Sequence, residues 1–167
     1  MKKLFLSLVL AGSAIFTSCE GPEGPQGPTG YSAESEVFEV TTTFTSANNF
    51  SQVYGLNPNI LTSDNILVYE LYEVQDGIDA WALLPQVYYF EQGTAQYNYN
   101  FSFDQFTLLV DADFDRNLLP ADFLQNKIFR IVVVPGYFSA RTSLDINDYD
   151  AVVRAMGLEG KPVKQLN

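Results

Sequence analysis

Residues 95–103 read AQYNYNFSF, placing Tyr97, Tyr99, Phe101 and Phe103 on one side and Gln96, Asn98, Asn100 and Ser102 on the other. A period of two is that of a β-strand with one face in a core and the other in water. Slipping the pairing by one residue would expose those four aromatics, so the register of this strand is firmly set. The stretch before it, AWALLPQVYYF (80–90), is joined to it by Glu91-Gln92-Gly93-Thr94 and completes a hairpin. Its residues are apolar on both faces, which predicts a central strand. Pro85 runs against that position, because it donates no ladder hydrogen bond and implies a bulge or an edge.

The same alternation extends in both directions along the chain. VFEVTTTF (37–44) puts Phe38, Val40, Thr42 and Phe44 on one face, with Glu39, Thr41 and Thr43 on the other. NILVYELYEV (65–74) is strand-like and ends at an Asp76-Gly77 turn. FTLLVDADF (106–114) is a further strand. KIFRIVVVP (127–135) is apolar on both faces and predicts the most buried strand, with Arg130 needing a carboxylate or a route to solvent. Residues 118–126 have room for one helical turn begun at Pro120. NDYDAVVRAMG (147–157) reads as a helix capped by Asn147, with Asp150 three residues on and Gly157 past its last turn. Residues 37–167 are therefore expected to form an all-β domain: an antiparallel β-sandwich (Ig-like) or barrel of about six to eight strands with one short C-terminal helix. A Rossmann fold is excluded, for there is no GxGxxG and no βαβ alternation.

Composition narrows the chemistry. The 167 residues hold 9 Lys plus Arg against 20 Asp plus Glu and no histidine, a formal net charge of −11. Such an acidic chain repels phosphate backbones, so no nucleic-acid partner is expected. Without histidine there is no Ser/His/Asp or Cys/His nucleophile pair and no His-ligated zinc. A single cysteine excludes an intrachain disulfide, a CxxC redox pair and a Cys-ligated cluster. Carboxylates alone remain for catalysis, and nothing in their spacing selects a pair. The expectation is a protein that is not an enzyme and carries no cofactor.

The N-terminus supplies the clearest motif. MKKLFLSLVLAGSAIFTSC (1–19) begins with Lys2 and Lys3 and runs apolar from Leu4 to Phe16. That run is too short for a bilayer span of about 20 residues and has the form of a secretory signal peptide. Cys19 stands where the run stops, after Phe16-Thr17-Ser18, and this resembles a bacterial lipobox, although Phe16 occupies a position where the motif prefers an aliphatic residue. The resemblance implies a signal peptide over 1–18, removal of which leaves Cys19 as an acylated N-terminus. Loss of Lys2 and Lys3 would leave seven cations against 20 acids, a net charge of −13. Acyl chains on Cys19 would make the membrane its partner, while the acidic body is repelled by anionic headgroups.

After the cysteine come three Gly-Pro-Y triplets, Gly21-Pro22, Gly24-Pro25 and Gly27-Pro28, closed by Gly30. This is collagen's local pattern, but three triplets are too few for a free triple helix. Residues 19–36 are expected to hold the lipidated cysteine and a stiff spacer reaching about 30 Å. A monomer is expected, with a trimeric stalk as the alternative. Together the lysine-led lipobox and Cys-Glu-Gly-Pro-x-Gly-Pro-x-Gly resemble small lipoproteins of Bacteroidota often labelled collagen-like, which carry a β-rich domain of unassigned chemistry. The resemblance covers residues 1–30. It implies a lipid-anchored protein of the outer membrane or cell surface, with a periplasm-facing anchor as the alternative.

Two sets of side chains in the domain offer ligand chemistry. Asp111, Asp113 and Asp115 have the D-x-D-x-D spacing that opens a calcium loop. Against it, Arg116 occupies the position where such a loop needs glycine, and a strand with a carboxylate outer face yields the same spacing. Trp81 and Tyr88 are candidates for stacking on sugar rings, set against the commoner use of aromatics as core. The partner is then an unidentified protein or a glycan.

Overall fold

The computed structural model describes residues 35–136, 138 and 144–166. Signal residues 1–18, Cys19 and spacer residues Gly21, Pro22, Gly24, Pro25, Gly27, Pro28 and Gly30 lie outside the described residues.

In chain order the elements are β1 (Val37–Thr42), β2 (Ser51–Gly55), β3 (Asn65–Gln75), β4 (Ile78–Leu83), β5 (Gln86–Phe90), β6 (Gly93–Phe101) and β7 (Gln105–Ala112). Then follow α1 (Ala121–Leu124), β8 (Lys127–Val134), α2 (Tyr149–Ala155) and β9 (Lys164–Gln165). They form a five-stranded sheet in the order β4-β3-β8-β1-β9 and a four-stranded sheet in the order β2-β7-β6-β5. Pairing is antiparallel except where β9 runs parallel to β1. This is the all-β sandwich that the alternation implies.

The inward parity of each sheet meets in one core. Phe38, Val40, Ile66, Val68, Phe129 and Ile131 from the larger sheet pack with Tyr54, Ala95, Tyr97, Phe106, Leu108 and Val110 from the smaller. Tyr97 ties the layers together, its ring stacked on Phe123 of α1 at 4.4 Å and edge-on to Phe129 at 5.5 Å. Its hydroxyl donates to the Phe123 carbonyl at 2.5 Å, so the polar end of this buried side chain is satisfied.

The larger sheet is covered on its other face as well. Val37, Tyr69, Val132 and Val134 pack there with Val152, Met156 and Leu158 from α2 and the turn after it. That turn is built on Gly157 at φ +64, whose N–H donates to the Arg154 carbonyl while that of Leu158 reaches Val153. These paired bonds satisfy the last carbonyls of the helix. At its start the cap is Asp148, which accepts from the Ala151 N–H at 2.9 Å, and not Asn147. Asn147 instead donates to Asp145 from its backbone and side chain.

Pro85 has a larger effect than a bulge. Residues 80–90 are not one central strand but two edge strands in different sheets. β4 pairs with β3, whereas β5 pairs with β6. Pro85, which has no N–H to donate, sits at the crossing. This division, together with the two-residue β9, takes the strand count past the expected six to eight. The aromatic stripe of 97–103 also divides: Tyr97 is buried and Tyr99 half-buried, but Phe101 and Phe103 run past the edge of the core into solvent.

Candidate functional site

The structure scatters the residues that the sequence singles out. Trp81 lies on the helix-covered face of the five-stranded sheet, beneath the Arg130 guanidinium at 4.1 Å and beside Tyr149 at 5.5 Å. Arg130 finds its carboxylate in Glu39, directly opposite in the β1–β8 ladder, at 2.9 Å. Tyr88 belongs to the other sheet and points into the sandwich, edge-on to Tyr97 at 5.7 Å and to Phe123 at 5.2 Å. The two rings share no surface.

The three aspartates also part company. Asp111 is exposed on β7, opposite Gln96. Asp113 accepts from the Thr94 N–H at 2.7 Å and from its hydroxyl at 3.1 Å. Asp115 caps the short 3-10 turn Arg116–Leu118 by accepting from Asn117 at 3.0 Å. Arg116, in the place of a turning glycine, reaches Asn49 and the Val110 carbonyl. Among the described residues, no group of three or more acidic or cysteine side chains is arranged to hold a metal ion. Among them, too, no helix is long and apolar enough to cross a membrane.

One titratable cluster escapes a reading of the sequence. Glu70 follows Ile66 and Val68 on the inward parity of β3 and is 1% exposed. Tyr88 donates to its Oε2 at 2.6 Å, and Lys127 Nζ lies 3.3 Å from Oε1. Burial pushes the Glu70 carboxyl above the ordinary range, while the Tyr88 hydrogen bond and the Lys127 charge pull it back. Burial also raises the Tyr88 hydroxyl, and the carboxylate it serves raises it further. With Glu70 buried and both of its partners only partly exposed, the cluster can lock β3, β5 and β8 together.

Open surface lies elsewhere, and two places among the described residues bear on function. Where β3, β6 and β8 meet the segment before α2, a cleft of about 370 Å³ is lined by Ile66, Leu67, Tyr99, Phe101, Leu144 and Ile146 among others. The outer face of the four-stranded sheet is the second, and it is laid out by the registers. Tyr89 stands opposite Thr94, and the ladder bond from Asp113 to Thr94 carries that row onto the chain after β7. The next row is Val87–Gln96–Asp111, then Asn98–Leu109–Ser51, then Asn100–Thr107–Val53. Thr94, Gln96, Asp111 and Asp113 border a shallow depression of about 280 Å³. Tyr89 beside it is 84% exposed. The signal that could have found it is the hairpin pairing: Tyr88 opposes inward Ala95, so Tyr89 must face out.

Gly93 keeps this corner open. It has φ +146, and a Cβ there would fall 2.1 Å from Asp113 Oδ1, the atom that holds Thr94. What the face offers chemically is an aromatic plate beside amide, hydroxyl and carboxylate groups.

The fold and these surfaces define the class, a two-sheet β-sandwich with one helix-covered face and one open face of mixed polar and apolar side chains. Comparison with protein-family models, curated proteins and solved structures gives no match.

Proposed function

We propose that the chain is a lipid-anchored protein of the bacterial outer membrane or cell surface whose β-sandwich acts by binding, not by catalysis. One observation carries the reading: the sole cysteine of the sequence, Cys19, stands where a lysine-led apolar run ends and a Gly-Pro segment begins. Acyl chains on Cys19 would hold the protein at the membrane, since two or more are needed for stable attachment. The spacer would then carry an acidic body away from the surface. Binding is supported over catalysis by Glu70, a buried carboxylate whose two oxygens are already engaged by Tyr88 and Lys127.

The test is Cys19→Ser expressed in a Bacteroidota host. The variant should leave the membrane fraction or retain its signal segment, and lose metabolic labelling by a fatty-acid analogue. Labelling as strong as in the parent would refute the anchor. A second reading, a glycan-binding surface protein, is favoured by the exposed Tyr89 set among hydrogen-bonding side chains.

A further inference from the structure

We infer that the outer face of the four-stranded sheet is a saccharide platform, centred on Tyr89 and selective for neutral chains over anionic ones. The inference rests on the glycan reading above and gives it a place and a ligand class.

A pyranose ring presents two kinds of surface, a face of C–H groups and a rim of hydroxyls. An aromatic ring lying open to solvent meets the first, since apolar contact there removes water from both partners. Tyr89 is such a ring, and it has been left out of the core although Tyr88 beside it was taken in. Groups that both donate and accept meet the second. Thr94 and Gln96 stand in the next strand, Asp111 follows in the strand beyond, and Asp113 lies just past that strand's end. Neighbouring strands lie about 4.8 Å apart and successive outward residues about 7 Å apart, a spacing comparable with the span of one sugar ring.

Charge selects within the class. No lysine or arginine stands in the four rows of this face, while Asp111 and Asp113 place two carboxylates on it. Carboxylates accept from paired sugar hydroxyls through charge-assisted bonds, but they repel uronic or sulfated chains. The net charge of −11 extends that repulsion beyond contact. Among the described residues, the side chains of Gln96 and Asp111 make no hydrogen bond to protein, so both are open to a ligand. Asp113 is held by Thr94, which fixes one edge of the depression before anything binds. A pre-set polar edge lowers the ordering cost of association.

The test is native affinity electrophoresis of the whole chain in mild detergent. The gels would contain mixed-linkage β-glucan, xyloglucan, galactomannan or amylose, with polygalacturonate as the anionic counterpart. At least one neutral polymer should retard the protein. Tyr89→Ala should weaken that retardation by about tenfold or more, which is about 1.4 kcal/mol. Asp111→Asn should weaken it several-fold, whereas Tyr72→Ala, an exposed aromatic on the β3–β4 hairpin, should leave it unchanged. Equal thermal melts of the variants would show that the surface changes spare the fold. Absence of retardation by every neutral polymer, an unaffected Tyr89→Ala, or equal retardation by polygalacturonate would overturn the platform. These readouts do not depend on acylation, so failure here is separable from failure of the anchor.

Discussion

The two sheets of this sandwich solve the same problem with different sequences. The five-stranded sheet is covered on both sides around its middle, between the four-stranded sheet and α2, while the tip of the β3–β4 hairpin is exposed. Its middle strand β8 is accordingly apolar at nearly every position, from Ile128 to Val134. The four-stranded sheet is buried on one side only. Its middle strands β6 and β7 alternate, with Tyr97, Leu108 and Val110 inward and Gln96, Asn98 and Asp111 outward. A strand's composition thus reports how many of its faces are covered, and the alternating sheet is the one with a face open to solvent.

The contrast can be broken most forcefully from the middle of the covered sheet. Phe129 is fully buried and touches Phe44 and Tyr97 edge-on. Phe129→Ala should cost about 3–5 kcal/mol in urea unfolding, through lost burial and the cavity left behind. Asn100→Ala, on the open face, should stay within about 0.5 kcal/mol. Similar costs for the two would mean that the open face is packed against something in solution.

A smaller effect probes the ion pair inside the sandwich. Glu70 binds its proton more tightly folded than unfolded, where its ordinary value is 4.5. The folded state therefore holds the extra proton above that value, and this residue's contribution to stability falls as pH rises until the folded carboxyl ionises. One proton sets a ceiling of about 1.4 kcal/mol per pH unit. Stability profiles of the parent and of Glu70→Gln, taken from pH 4 upward (roughly the span the linkage covers), should diverge with that sign. Parallel profiles would show that Tyr88 and Lys127 fully offset the burial.

The smallest effect sharpens the reading of the open face. Asp113 and Asp115 are engaged by Thr94 and Asn117 and do not converge on Asp111. Thermal melts with chelator and with millimolar calcium should agree within about 2 °C. A rise of several degrees would restore the three aspartates as a cation site.

Parity made much of this fold legible. Phe38, Val40, Thr42 and Phe44 are all buried, as their alternation implies, and Arg130 meets the carboxylate that its burial demanded. Local pattern failed where the chain changes sheet. At Pro85 the chain leaves one sheet for the other with even-numbered residues still facing inward, so Trp81 and Leu83 lie under the helix while Val87 and Tyr89, on the same parity, face solvent. The covering of Trp81 depends on Tyr149 and Arg130, distant in sequence, and no local period reveals it. Glu70 escaped notice because a glutamate near the end of an apolar run looks like a strand's exit to solvent. Its charge partner, Lys127, lies 57 positions along the chain.

Trp81 is the chain's single tryptophan, and it lies in the layer between the larger sheet and α2 rather than between the sheets. Its fluorescence is therefore a local gauge. Emission follows the docking of the helix, while far-ultraviolet dichroism follows the strands. The two signals coincide during denaturation only if helix and sandwich unfold as one cooperative unit. The molecule thus carries its own built-in probe for whether the cover over the larger sheet can lift while the smaller sheet stays intact.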